Sequence, residues 1–150
     1  MERATDLLAA VEATGAHAFV ADTAPIIYRV ERTARRVLVT ACDPLFDAVA
    51  TGRLSCVVSA ISVAELFIRP AAAGPAAVAT METFFQEPAV EIAAVDYETA
   101  RAAAGLVAEV PRLADAVIAS TSLRLGVPIV TGDRQLARAV PGALLIGDFV

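Results

Sequence analysis

The sequence predicts an α/β protein built on a parallel sheet, because short apolar runs alternate along it with longer helical patterns, as in successive βαβ units. Proline and glycine punctuate that alternation. Pro111 cannot continue a helix but suits the first turn of the next, and Gly126 closes a helix just ahead of the apolar run Val127-Pro128-Ile129-Val130. At 150 residues the chain is long enough to bury a substantial core as one domain, with no linker or repeat.

Strands are expected at Ala18–Ala21, Leu54–Ser59, Ala89–Val95, Val127–Val130 and Ala143–Ile146. The third carries Glu91 among apolar residues, which places it nearer a sheet edge. Helical patterns cover Pro44–Ala50, Ser62–Ile68, Pro75–Phe85, Tyr97–Val110 and Arg112–Leu125, with a shorter segment at Arg134–Val140. Residues 1–16 read as an amphipathic extension with Leu7, Leu8 and Val11 on one side, leaving 17–147 as the core of the domain.

The composition is 57% hydrophobic with mean hydropathy +0.65, yet the longest charge-free stretch, Pro70 to Met81, is broken by Pro70 and Pro75. A spanning helix needs roughly 20 apolar residues, so a non-membrane, cytoplasmic protein is expected. Glu2, Arg3 and Asp6 stand where a secretory signal would be apolar. The two cysteines are too few for a disulfide framework or a zinc site, and Cys56 reads as a buried small hydrophobe. A net charge of −5 argues against nucleic acid unless the acids gather at a metal, since bound cations invert the local charge. All twelve basic residues are arginine. Without lysine a P-loop is excluded, and phospho-aspartate chemistry, which normally uses a lysine, is disfavoured.

Four carboxylates stand out, each with an ordinary alternative. Asp22 follows the first strand and caps a helix equally well. Ser62-Val63-Ala64-Glu65 fits a capping box. Asp115 lies near the start of a helix, where the macrodipole favours an acid, and Asp133 follows a strand and caps the segment after it. Together they point elsewhere. Asp22, Glu65 and Asp133 follow strands, and Asp115 opens the helix that feeds another. In an open α/β sheet those positions share the edge where ligands bind. Converging carboxylates repel, and a divalent cation resolves the conflict. Oxygen-only donors suit Mg2+ or Mn2+ better than zinc.

These segments are Val20-Ala21-Asp22-Thr23, Val58 to Leu66 around Glu65, Leu113 to Ala119 around Asp115, and Ile129-Val130-Thr131-Gly132-Asp133. In that order, from about Phe19 to Ile146, they resemble the PIN domain family of metal-dependent nucleases, and within it the toxins of VapBC toxin–antitoxin pairs. The resemblance implies a three-layer α/β/α sandwich on a five-stranded parallel sheet ordered 3-2-1-4-5. It implies metal ligation by Asp22, Glu65, Asp115 and Asp133, and a hydroxyl at Thr131 that orients a carboxylate or a water on the metal. This chain departs from the family in its longer segment before Phe19 and in Gly132, a position that is often polar.

The expected activity is Mg2+- or Mn2+-dependent hydrolysis of RNA, leaving a 5′-phosphate, with RNA preferred from the resemblance alone. Asp22, Asp115 and Asp133 would bind metal directly, and Glu65 a second ion or the attacking water. His17, the only histidine, is incidental, which excludes a histidine-pair ribonuclease. Arg29, Arg32 and Arg36 are spaced to share a helical face, with Arg35 alongside, and read as a solvated face paired in part with Glu31 more readily than as a phosphate site. Arg134 and Arg138 are comparable phosphate candidates. The alternatives are a non-toxin nuclease, a catalytically silent binding module, and a phosphatase using Asp22, which would want an acid where Ala24 stands. Expected partners are RNA, a VapB-like antitoxin and a second copy of the chain. The consecutive apolar residues Ile26-Ile27-Tyr28 and Leu66-Phe67-Ile68 are expected to leave outward members walling an antitoxin groove beside the site.

Overall fold

The computed structural model describes residues 6–150; residues 1–5, the start of the expected N-terminal segment, lie outside the described residues. Five strands, β1 (Ala18–Ala21), β2 (Ser55–Ser59), β3 (Val90–Ala93), β4 (Ile129–Thr131) and β5 (Leu144–Leu145), form one sheet. Every pairing is parallel and the order is β3-β2-β1-β4-β5. This is the order the resemblance implies. β3 lies at an edge, where Glu91 and Ile92 are exposed, in keeping with its charge.

Around the sheet lie α1 (Leu7–Ala13), α2 (Thr23–Glu31), α3 (Arg36–Ala50), α4 (Ala60–Ala73), α5 (Pro75–Phe85), α6 (Tyr97–Ala104), α7 (Leu113–Leu125) and α8 (Arg134–Ala139). Strand side chains alternate between faces, so the sheet has two cores. Phe19, Ala21, Cys56, Val58 and Val130 pack on one face with Leu7 and Val11 of α1, Phe46 of α3 and Met81 of α5. Val20, Val57 and Ile129 pack on the other with Ala103 of α6, the Ala116–Ala119 run of α7 and Leu136 of α8. The result is a three-layer α/β/α sandwich. Edge-to-face contacts Phe19–Phe46 (6.0 Å) and Phe46–Phe84 (5.8 Å) tie α3 and α5 to β1, the strand that ends at Asp22.

Several helices depart from expectation. The interval after β1, expected to place arginines along one helical face, is two helices. Arg32 takes a left-handed conformation (φ 56°) and ends α2, and α3 opens at Arg36. α3 therefore begins well before Pro44, which sits inside it. Proline removes the bond to the carbonyl four residues back, and here that residue, Thr40, is exposed to water. α4 runs through the buried Pro70 to Ala73, rather than stopping at Ile68. α6 ends at Ala104, short of Val110, because tight turns carry Gly105 to Glu109 into the loop before α7.

Candidate active site

Parallel strands deliver their carboxyl ends to one edge, and β1 stands where strand order reverses, with β2 on one side and β4 on the other. Asp22 leaves β1 there and is only 6% exposed. It caps α2, its Oδ1 accepting the Thr23 amide at 2.8 Å, while Oδ2 accepts the Thr131 hydroxyl at 2.7 Å. Its own amide donates to the Val130 carbonyl of β4 at 3.0 Å, which locks the position across the strand pair. Thr131 ends β4 fully buried, and its oxygen also accepts the Asp133 amide at 3.0 Å. Asp133 caps α8 through Oδ1, which accepts the amides of Gln135 and Leu136 at 2.8 and 3.2 Å. Both aspartates are thus caps and are held at the edge by being caps.

The capping-box reading of Glu65 does not hold. Ser59 is the cap of α4, accepting the Ile61 amide at 3.3 Å, whereas Ser62 lies one turn inside with its hydroxyl buried and unpartnered. Glu65 is therefore not tied to a cap amide. Asp115 lies in the first turn of α7, with Arg112 Nε 3.8 Å from its carboxylate.

The acids sense one another. Burial first, then Asp22, holds the Asp115 carboxyl above its ordinary range; Asp133 adds to this and Arg112 opposes it. Burial, then Asp22 and Asp115, does the same to Glu65, again against Arg112. Asp115, Asp133, Arg112 and Gln135 line a narrow cleft of about 50 Å³. Among the described residues no three such side chains close on one point as the ligands of an ion. Like charges settle apart unless a cation draws them in. The donor set is oxygen only and one member, Asp22, is oriented by two hydrogen bonds, which fits a hard divalent ion.

The other candidates fall elsewhere. His17 precedes β1 at the opposite edge and is exposed. Arg29 and Arg32 do not share a face with Arg36. Arg29 binds Asp43 and Asp47 at 3.0 and 2.9 Å, and Arg32 grips Asp43 with two bonds of 2.9 Å. Glu31 pairs with Arg69 of α4, not with these arginines. Arg134 and Arg138 ride on α8, exposed, with Arg134 next to Asp133. Two residues at the edge were not read as belonging to the site: Arg112, signalled only by its three-residue spacing from Asp115, and Tyr28, whose hydroxyl is held above its ordinary range by burial, then by Cys42 and Asp22. Cys42 and Cys56 are buried and free, and burial pushes the Cys42 thiol up to about 12 and Cys56 higher still, so neither is a ready nucleophile.

Of the six apolar residues expected to include outward members, most turn inward. Ile26 and Leu66 are buried and Ile27, Tyr28 and Phe67 pack against the main core, leaving Ile68 exposed. The reason is a crowded layer in which α3 and α5 cover the faces that two bare helices would show. Among the described residues no helix is long and apolar enough to cross a membrane.

Fold and site together define an open parallel α/β/α protein with a carboxylate-lined edge at its switch point. The chain belongs to the PIN domain family, whose model matches residues 19–140, and members of that family are generally nucleases. Solved structures of similar fold include VapBC2 from Rickettsia felis bound to a promoter DNA fragment, at TM-score 0.66 and 16% identity over 85% of this chain and 96% of that one. A toxin–antitoxin complex from Klebsiella pneumoniae gives TM-score 0.64 and 17% identity, covering 85% of this chain and 97% of that one. FitAcB from Neisseria gonorrhoeae gives 0.63 and 20%, covering 85% and 96%. No curated protein matches the sequence.

Proposed function

We propose that the chain is a Mg2+- or Mn2+-dependent endoribonuclease and the toxin of a toxin–antitoxin pair. The observation that carries the nuclease reading is that burial, then the charge of Asp22, holds Glu65 and Asp115 above the ordinary carboxylate range at the edge where Asp22 and Asp133 are seated as helix caps. Asp22, Asp115 and Asp133 would hold the metal, with Glu65 at a second ion or at the attacking water. A bound divalent ion supplies charge neutralisation at the scissile phosphate and a water acidic enough to attack near neutral pH. The Thr131 hydroxyl keeps the Asp22 carboxylate turned toward the edge. Glu65, with its raised proton affinity, accepts a proton from water more readily than an ordinary carboxylate. Arg112 and Arg134 are the cations nearest the acids in sequence and are the phosphate contacts of this reading.

The toxin reading rests on neighbours of the same fold described as VapBC, FitAcB and toxin–antitoxin complexes. A groove of about 410 Å³, walled by Val30 and Glu31 of α2, Arg69 and Ala73 of α4 and Ala77 and Met81 of α5, is where an amphipathic antitoxin segment would lie. It opens at the carboxyl ends of α2 and α4, away from Asp22, so the antitoxin would reach the acids by extending along these helices. The same chain is proposed to act in the cytoplasm, as a homodimer, and as one domain over 1–150.

Labelled single-stranded RNA incubated with the protein in Mn2+ should be cut to 5′-phosphate fragments, with cleavage lost in EDTA and in Asp115→Asn. Intact RNA in Mn2+ would leave a binding module. Cleavage without growth inhibition and without a small co-purifying partner would keep the nuclease and remove the toxin.

A further inference from the structure

We propose that Tyr28 is a substrate-binding residue of this edge, its hydroxyl donating to a phosphate oxygen of the nucleic acid; the inference rests on the nuclease reading and names a contact within that site. Side chains of a helix lean back toward its amino end and cover the preceding turn. Tyr28 does this on α2, its ring packing on the main core and its hydroxyl reaching back toward the start of the helix. A methyl group placed on Gly132 would lie 3.2 Å from Ala24 Cβ and 3.4 Å from the Tyr28 hydroxyl. The hydroxyl is therefore seated beside the backbone that joins Thr131 to Asp133, and glycine at 132 leaves it room.

The hydrogen bonds at this edge run from Thr23 and Thr131 to Asp22, from the Asp133 amide to Thr131, and from Gln135 and Leu136 to Asp133. Tyr28 enters none of them. It is a half-buried donor beside an acidic centre whose two oriented aspartates are already satisfied by other donors. Its remaining acceptor is one that arrives from solution. The chain has no lysine, and Arg29 and Arg32 of the same helix region are held by Asp43 and Asp47. A neutral hydroxyl is also better suited than a cation here. An ammonium beside Asp22 would pair with the carboxylate and compete with a metal, whereas a phenol donates to phosphate and leaves the acids free. Gly132, set apart above as a departure from the family pattern, has a purpose in this arrangement.

The test uses Tyr28→Phe, which keeps the ring in the core and removes only the donor. Initial rates on labelled RNA in Mn2+ give KM and kcat, and anisotropy of the same RNA in Ca2+ gives Kd. Loss of a hydrogen bond to a charged acceptor predicts KM and Kd raised about tenfold or more, with kcat within about twofold and Tm unchanged. Gly132→Ala crowds the hydroxyl and should raise KM the same way, with no further rise in the double variant. Tyr28→Phe with KM and Kd within twofold of wild type overturns the proposal, as does a Gly132→Ala effect that multiplies with it. Wild type that binds RNA without cutting it sinks the nuclease reading while the Kd comparison still decides Tyr28. Wild type that neither binds nor cuts overturns both.

Discussion

The two ends of α2 use carboxylates in opposite ways. At its carboxyl end Arg29 and Arg32 meet Asp43 and Asp47 of α3 in a network of bonds near 3 Å, and the Arg32 guanidinium beside Asp43 holds that carboxyl below its ordinary range. At its amino end Asp22 faces Asp115 and Glu65, and both of those acids are held above theirs. One helix therefore separates acids that are neutralised by the fold from acids that the fold leaves mutually repelling. Perturbed carboxylates at a switch point are the arrangement on which the proposed metal site rests. The paired acids are scaffolding.

The largest break between the two ends should come from charge removal. Asp22→Asn or Asp115→Asn should lower RNA cleavage by about a thousandfold or more, as loss of a direct metal ligand does. Metal-free Tm should hold or rise, because asparagine still caps α2 and the repulsion is gone. A sharp fall of Tm in both variants would make these acids part of the scaffold and not ligands of a cation.

Thr131→Val comes next. It removes the donor to Asp22 and the acceptor for the Asp133 amide at a fully buried position. Cleavage should fall about 10- to 100-fold, with a stability loss of about 1–3 kcal/mol, and Thr131→Ser should recover most of the activity. Equal activity in Thr131→Val would mean that Asp22 needs no orienting partner.

The scaffold end should respond in the other direction. Asp43→Asn releases Arg32 and loosens Arg29, so Tm should drop by about 2–4 °C while cleavage stays within about twofold. Activity loss on the scale of Asp115→Asn would erase the distinction between the two ends.

The smallest effect is in pH. Asp115 and Glu65 have folded-state values raised above 3.8 and 4.5, so the native state binds their protons more tightly than the unfolded chain. In the metal-free protein stability is therefore lost as pH rises through the raised values, and regained on acidification. Asp43 and Asp96 are lowered, so the stability they contribute is present above 3.8 and lost as pH falls through their folded values. The two windows lie on either side of about pH 4. Metal-free Tm should rise as the pH is lowered from 7 through the raised values of Asp115 and Glu65 and then decline in stronger acid, and Asp115→Asn should flatten the first rise. A wild-type Tm that only falls below pH 7 would speak against repulsion at the edge.

How much of this was legible beforehand varied with the physics. Parallel strands share a carboxyl edge whatever their details, so residues following apolar runs could be assembled there from order alone; Asp22 and Asp133 needed nothing more. Glu65 was placed there by the same order, and it is its ordinary alternative that failed, since Ser59 caps α4 and a capping pattern fits wherever serine precedes glutamate by three. The arginine face failed because it assumed one helix, and Arg32 adopts a left-handed conformation for which arginine carries no signal. Pro44 and Pro70 misplaced two helix limits because tertiary packing tolerates proline inside them. Tyr28 was read as an apolar wall, since spacing along α2 does not reveal that its hydroxyl folds back to the loop after β4.

The measurement that bears most directly on the acidic edge is a Mn2+ titration followed by melting temperature in wild type, Asp115→Asn and Asp43→Asn. Binding to the native state alone raises stability by about 2.7 kcal/mol at a hundred times Kd. Wild type and Asp43→Asn should therefore show a saturating rise of several degrees, and Asp115→Asn little or none. A wild type that Mn2+ leaves unmoved, or an Asp115→Asn that rises equally, would contradict the assignment of these carboxylates to a cation.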